Sequence, residues 1–254
     1  MDEPSELRQN QDLSCLRDLD HWRSSDERQQ DRAIEAIAAA LSGRFEWLST
    51  GLERCGPQAT RCARFRHLRS AVELSLIPGG AREVYQGFLS TPAAARRVAP
   101  FLLGRETIDE ATWRLQIGAP PSAPKQGLDL AQASAWLSEL GDQLRLPTED
   151  EWEHACWAGA ATRFFWGAEV DDRYLWYADN SGGHAHPCAE HREHTNAFGL
   201  IDMVGNVWEL CAEGHANGGA WDSHAYALDL RFSPSSALDP RAPVGLRVAR
   251  NLFT

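Results

Sequence analysis

Histidine and cysteine crowd one short stretch of this chain, with His184, His186, Cys188, His191 and His194 spaced two and three residues apart. Imidazole nitrogen and thiolate sulfur at that density are donors for Zn²⁺ or Fe²⁺, and an ion there would also pin a long loop. His184, His186 and Cys188 are the favoured ligands of such a transition-metal site. The other reading is a polar surface loop that carries histidine without a metal, and spacing leaves both open. A second candidate is Ser223 beside His224. Chain neighbours seldom point at each other, and neither a nucleophile elbow nor an acid partner accompanies the pair, so hydrolysis is not expected.

The segments that must position these residues carry further signals. Leu76-Ile77-Pro78-Gly79-Gly80 is followed by Phe101-Leu102-Leu103-Gly104-Arg105-Glu106-Thr107, and then by Leu144-Arg145-Leu146-Pro147-Thr148-Glu149 running into Glu151-Trp152-Glu153. Asn196-Ala197-Phe198-Gly199-Leu200, Asp202-Met203-Val204-Gly205-Asn206-Val207-Trp208-Glu209 and Gly245-Leu246-Arg247 complete the series. Each block alone is a local backbone signal. In this order and register they resemble the sulfatase-modifying-factor family, the formylglycine-generating enzymes and their relatives, over roughly residues 70 to 250. The resemblance implies an α+β fold like that of a C-type lectin domain, poor in regular secondary structure.

In those enzymes two cysteines five positions apart, just after a Gly-Gly-Ser turn, bind copper and act on a substrate cysteine with oxygen. Soft thiolates select Cu(I) over harder cations. The matching stretch here is Gly218-Gly219-Ala220-Trp221-Asp222-Ser223-His224-Ala225-Tyr226-Ala227-Leu228, so Ser223 and Leu228 fall on the cysteine positions and Ala220 on the serine. Only His224 is retained. A hydroxyl and an isobutyl group cannot hold Cu(I), so copper-dependent formylglycine generation is not expected. The resemblance also implies a calcium ion at Asn206, the Val207 carbonyl and Glu209, a donor set that suits a hard cation. The alternative for Glu209 is a buried pair with an arginine such as Arg247. Asn180 matches one ligand of a further calcium site, whose distant aspartate would fall in the shortened histidine segment. The excursion that relatives carry between Glu209 and Gly218 is short here, which implies a shallower groove.

Residues 1–69 differ in character, and Ala33, Ile34, Ile37, Leu41, Phe45, Leu48 and Leu52 recur at helical intervals. The reading is a helical N-terminal extension over 1–69, capped by Ser24 with Glu27, on a family domain over 70–254. After residue 70 come short strands, Val72 to Ile77, Glu83 to Leu89 and Val98 to Leu103. Two helices follow, one started by Asp129 and stopped by Gly141, the other started by the Thr148–Glu151 box. Ten tryptophans offer ring area and N–H donors to order the loop-rich second half.

The net charge of -11 disfavours general nucleic-acid binding, although Arg61, Arg64, Arg66, His67 and Arg69 form a local basic run. An acidic polar start, six scattered cysteines and the absence of an apolar run of about eighteen residues predict a cytoplasmic protein with reduced thiols and no membrane partner. The leading expectation is a non-catalytic or repurposed family member that binds a peptide or protein through Trp221, His224, Tyr226, Arg231 and Phe232, residue types that dominate interfaces. The competing expectation is an oxygen-dependent metal oxidoreductase related to ergothioneine- or siderophore-pathway members. For that reading the N-terminal segment offers only His21 and His67, with no pair spaced to share a helical face.

Overall fold

The structure is a computed structural model and describes residues 11–85, 92–229 and 242–252. Strands β1 (Phe45–Cys55), β2 (Gln58–His67), β3 (Glu73–Ile77), β6 (Phe101–Gly104), β11 (Ala249–Asn251) and β7 (Leu144–Arg145) form one sheet in the order β1-β2-β3-β6-β11-β7. A second sheet orders β10 (Val244–Leu246), β8 (Trp208–Leu210) and β9 (Ala216–Asn217), and a hairpin joins β4 (Gly80–Tyr85) to β5 (Pro92–Val98). Because successive side chains of a strand face opposite ways, the main sheet separates two cores. Leu102 joins Leu74, Leu76 and Val248 on one side, while its neighbours Phe101 and Leu103 join Ile77 and Ala249 on the other.

The N-terminal segment corrects the sequence reading. Its helices end at Leu41, after Leu19–Ser24 and Glu27–Leu41, and the rest is the β1–β2 hairpin, which continues into β3 through the pair Arg64–Ser75. Gly43, at φ +81°, turns the chain out of the helix, so Phe45, Leu48 and Leu52 keep helical spacing by coincidence while lying on a strand. The boundary drawn at residue 69 therefore crosses a continuous sheet. The helix cap also shifts: Asp26, not Ser24, accepts from Gln29 N at 2.8 Å. Ala33, Ile34, Ile37 and Leu41 are buried as the helical period requires, and they seal the first core.

Two later helices follow their caps. Asp129 and Gln132 form a reciprocal box at the start of Leu130–Leu140, which stops at Gly141 with φ +75°. Thr148 and Glu151 do the same for Glu149–Trp157. The acidic first turn of that helix is thus a cap, and Glu151 is further tied to Arg145 at 2.7 Å. Four members of the basic run, all on β2, meet carboxylates in place. Arg61 pairs with Asp31, Arg64 with Glu53, Arg66 with Glu73 and His67 with Asp142, while Arg69 donates to the Leu140 carbonyl. Trp166, in the loop-rich second half, acts as anticipated, with Nε1 bonding Glu169 O at 2.8 Å; outside that half, Trp22 Nε1 bonds the strand carbonyl of Arg61 at 2.8 Å and Trp136 Nε1 the helix carbonyl of Trp113 at 3.0 Å. Among the described residues, no helix is long and apolar enough to cross a membrane.

Candidate functional site

The turn expected to carry chemistry is clamped against the loop that precedes β8. Gly205 N donates to Gly218 O at 2.8 Å, and Trp221 N donates to Asn206 O at 2.9 Å. Gly205 has φ +78°, and a Cβ there would sit 2.3 Å from Trp176 O, so no other residue fits this crossing. Gly219 has φ +77°, and a Cβ on it would meet Leu228 Cδ2 at 2.1 Å and Ser223 Oγ at 3.4 Å. Ser223 and Leu228, five residues apart in sequence, are thereby brought to the same point beside the glycine pair. Leu228 is buried there.

Neither side chain is a thiol. Ser223 Oγ accepts from Ala220 N at 3.0 Å, closing its own turn, and the His224 ring stacks on Tyr226 at 5.7 Å between centroids. Trp221 is half-buried, with Nε1 donating to Gln126 Oε1 at 3.1 Å, and its carbonyl accepts from Ser181 Oγ at 2.9 Å. Tyr226 is 76% exposed. Trp221, His224 and Tyr226 therefore share one short segment that projects an aromatic pair outward. Arg231 and Phe232, named with them from the sequence, lie outside the described residues.

The histidine segment folds as a stack of rings. His184 lies on His186 at 4.4 Å, His186 on Trp176 at 3.8 Å and Trp176 on His191 at 4.6 Å. Stacked rings present faces to each other, whereas ligands of one ion must aim in-plane nitrogens at a common point. His186 Nε2 is committed to Ser181 O at 2.7 Å, and its Nδ1 faces Glu190 Oε2 at 3.2 Å. Cys188 is buried, with Sγ 3.3 Å from Thr107 Oγ1 and 3.9 Å from Asn206 Nδ2. Burial, and then the Asp202 carboxylate, push its thiol well above the ordinary range, which disfavours the thiolate a metal needs. Among the described residues, no three His, Cys, Asp or Glu side chains are grouped to hold a metal ion. His184 and His186 are brought together, but as a stack, and the Cys188 thiol is buried against Thr107 and Asn206.

Asn206 and Glu209 are likewise placed in different networks. Asn206 has φ +62°, its Oδ1 accepts from His186 N at 3.0 Å, and its Nδ2 donates to His186 O at 2.8 Å and Asp202 Oδ2 at 3.0 Å. Asp202 in turn holds His191 Nδ1 at 2.7 Å. Glu209 is fully buried in a fork with Arg247, Oε1 to Nη2 at 2.6 Å and Oε2 to Nε at 2.8 Å, and Trp152 Nε1 also donates to Oε2 at 2.6 Å. With a guanidinium already against both carboxylate oxygens, this donor set does not fit a second, divalent cation. The arrangement is the carboxylate–arginine alternative weighed for Glu209. Asn180 closes a local turn, accepting from Tyr177 N at 2.8 Å and donating to Leu175 O at 3.0 Å. Sequence reasoning overlooked Asp202 and Trp176. The four-residue step from Asp202 to Asn206 was the available signal for the first, while Trp176 belongs to none of the motifs.

All six cysteines are buried, and none forms a disulfide. Cys211 contacts Asn217 Nδ2 at 3.6 Å, next to the glycine pair, and burial followed by Glu209 pushes its thiol strongly up. Cys62 is raised in the same way, by burial and then Glu53. A group whose pKa rises on folding stays protonated at pH 8, so the native protein is expected to release almost no colour from an aromatic disulfide reagent. The denatured chain should titrate all six thiols. A rapidly reacting native cysteine would contradict the packing described here.

An α+β scaffold with a glycine-pair turn locked to a Gly205-Asn206 loop, and a buried Trp152–Glu209–Arg247 cluster beneath it, defines a formylglycine-generating-enzyme type of fold. Residues 105–252 match the family described as sulfatase-modifying factor enzyme 1-like domain, more than half of the chain, and the protein belongs to that family. It is 30% identical over 160 residues to a formylglycine-generating enzyme of Streptomyces coelicolor, covering 56% of this chain and 46% of that one. It is 38% identical over 97 residues to a hercynine oxygenase of Mycolicibacterium smegmatis, covering 35% of this chain and 22% of that one. The chain thus spans less than half the length of these relatives. Among solved structures it is similar to Treponema denticola variable protein 1, with a TM-score of 0.54 and 19% identity over 82% of this chain and 99% of that one, a likeness of fold.

Proposed function

We propose that this protein is a binding member of its family that uses the turn region to hold a peptide or protein partner, without thiolate–copper chemistry. The observation that carries the reading is the substitution at the centre. Ser223 and Leu228 meet beside Gly219 in place of a thiol pair, while the neighbouring Tyr226 stands 76% exposed on the ring of His224. An exposed tyrosine braced by another ring has little rotamer freedom left to lose, and such residues contribute heavily to interfaces. The hydrogen bond from Trp221 to Gln126 fixes the other end of the segment.

Selection of a random peptide library on the full chain tests this. Enriched peptides should bind the native protein and lose at least about tenfold in affinity, about 1.4 kcal/mol, on Tyr226→Ala or Trp221→Ala. Failure to enrich any peptide, or binding indifferent to both substitutions, overturns the reading.

A second reading, an oxygen-dependent metal oxidoreductase, draws support from the similarity to the hercynine oxygenase. It requires iron or copper in protein purified without chelator or tag, lost on replacing His184 and His186. Finding neither metal favours the binding protein.

A further inference from the structure

A pocket that the turn region does not use lies behind the segment Arg105–Asp109. It measures about 240 Å³ and is bounded by Ser70–Glu73, by Gln116–Ala119 with Pro121, and by Arg192. That is below the roughly 300 Å³ at which drug-sized ligands are usually accommodated, so it suits one small molecule better than a chain segment.

Its wall contains Arg105, only 5% exposed. Arg105 Nε donates to Gly199 O at 3.0 Å and Nη1 reaches Glu73 Oε2 at 3.4 Å. Nη2 makes no hydrogen bond among the described residues, and it is not one of the fully enclosed side-chain atoms left without a partner, so its share of the five guanidinium N–H donors stays reachable from solvent. Withdrawal from water, reinforced by Arg64, lowers the pKa of Arg105, yet the group remains charged at neutral pH. A largely buried cation that keeps a reachable donor edge in the wall of a small cavity suits an anionic oxygen pair.

The rest of the wall narrows the ligand. Asp109 is consumed as a cap, accepting from Thr112 N at 2.8 Å, Ser122 N at 3.1 Å and Ser122 Oγ at 2.9 Å. Glu106 is partly exposed and paired on one oxygen with the mobile-length side chain of Arg192 at 3.0 Å. Glu73 is shared between Arg66 and Arg105. A dianion would meet three carboxylates against two arginines, whereas a molecule with both charges matches the wall at each end.

We propose that this pocket binds a free α-amino acid. Its carboxylate takes the open Nη2 edge of Arg105, its ammonium faces Glu106, and its side chain lies toward Ile117 and Pro121. The pocket shares no residue with the turn region, so it stands or falls separately from the peptide-binding reading.

The test uses the full chain and the twenty amino acids, each at 10 mM, in a thermal-shift screen followed by calorimetry. At least one should bind with a Kd between about 10 µM and 1 mM. The corresponding amino acid amide, which lacks the carboxylate, and the N-acetyl derivative, which lacks the ammonium, should each bind at least about tenfold more weakly. Arg105→Gln should abolish binding. Because Arg105 also supports Gly199, two milder variants accompany it: Glu106→Gln, expected to weaken binding about tenfold, and Ile117→Trp, which plugs the cavity from an exposed position. Tyr226→Ala should leave amino acid affinity unchanged. No binding by any of the twenty, amide binding equal to that of the acid, inorganic phosphate as the sole stabilising ligand, or affinity that survives both Glu106→Gln and Ile117→Trp would each overturn the proposal.

Discussion

Replacing Arg247 by alanine is expected to remove about 3–5 kcal/mol of folding stability, the usual cost of stripping one partner from a buried ion pair. Arg247 is fully buried and makes four hydrogen bonds to three partners. Its Nε and Nη2 fork Glu209 at 2.8 and 2.6 Å, its Nη1 donates to Gly104 O at 2.9 Å, and its Nη2 also donates to Ile201 O at 2.8 Å. It thus fastens β6, the 201 loop and β8 to one another through a single side chain. In its absence Glu209 keeps only the Trp152 N–H, and an uncompensated carboxylate is left in a site with no solvent. A domain of this size has only about 5–15 kcal/mol to lose, so the variant should give up between about a fifth and all of its stability. Arg247→Lys should fall between the two, because an ammonium cannot span the carboxylate and both carbonyls with a planar fork. Urea unfolding followed by tryptophan fluorescence measures each; a loss below about 1 kcal/mol for Arg247→Ala would show that the network is not what holds these loops.

This cluster also shows where sequence reasoning reached and where it stopped. Capped helices were legible because the signals are local: Asp129 and Thr148 each bond three residues ahead, and Gly141 stops its helix by its own backbone. The Glu209–Arg247 pair could be named because both residues sit in recurring blocks, but the choice between ion pair and cation site needed the position of Trp152, 57 residues away. The β1–β2 hairpin was missed for the opposite reason. β1 is an edge strand with polar residues on both faces, so it lacks the alternation that marks a strand, and its few apolar residues happened to extend the period of the preceding helix. The histidine segment fails as a sequence argument in a third way. Spacing counts donors but does not report orientation, and here Trp176, which precedes the run and is no part of its pattern, turns the rings into a stack.

The largest gain of function expected is at the turn itself. Ser223→Cys combined with Leu228→Cys should give a protein that binds about one Cu(I) per chain where the parent binds essentially none, because two soft thiolates at close range select that ion. The geometry is favourable, since both side chains already reach within 3.4 Å of the place a Cβ on Gly219 would occupy. The parent cannot compensate from its own thiols, all of which are buried, with Cys188 held by Thr107 and Cys211 by Asn217. Removing the Leu228 side chain from a core position costs stability, about 2–5 kcal/mol if the cavity stays empty, so near-ultraviolet dichroism must first establish that the variant is folded. Copper is then measured by competition against a coloured Cu(I) chelator, with each single cysteine variant as a control expected to lose the contest. A folded double variant that yields all its copper to the chelator would show that Ala220 and the short link from Glu209 to Gly218 have altered the pocket beyond its two missing thiols. That outcome would shift the divergence of this chain from two side chains to the shape of the whole turn.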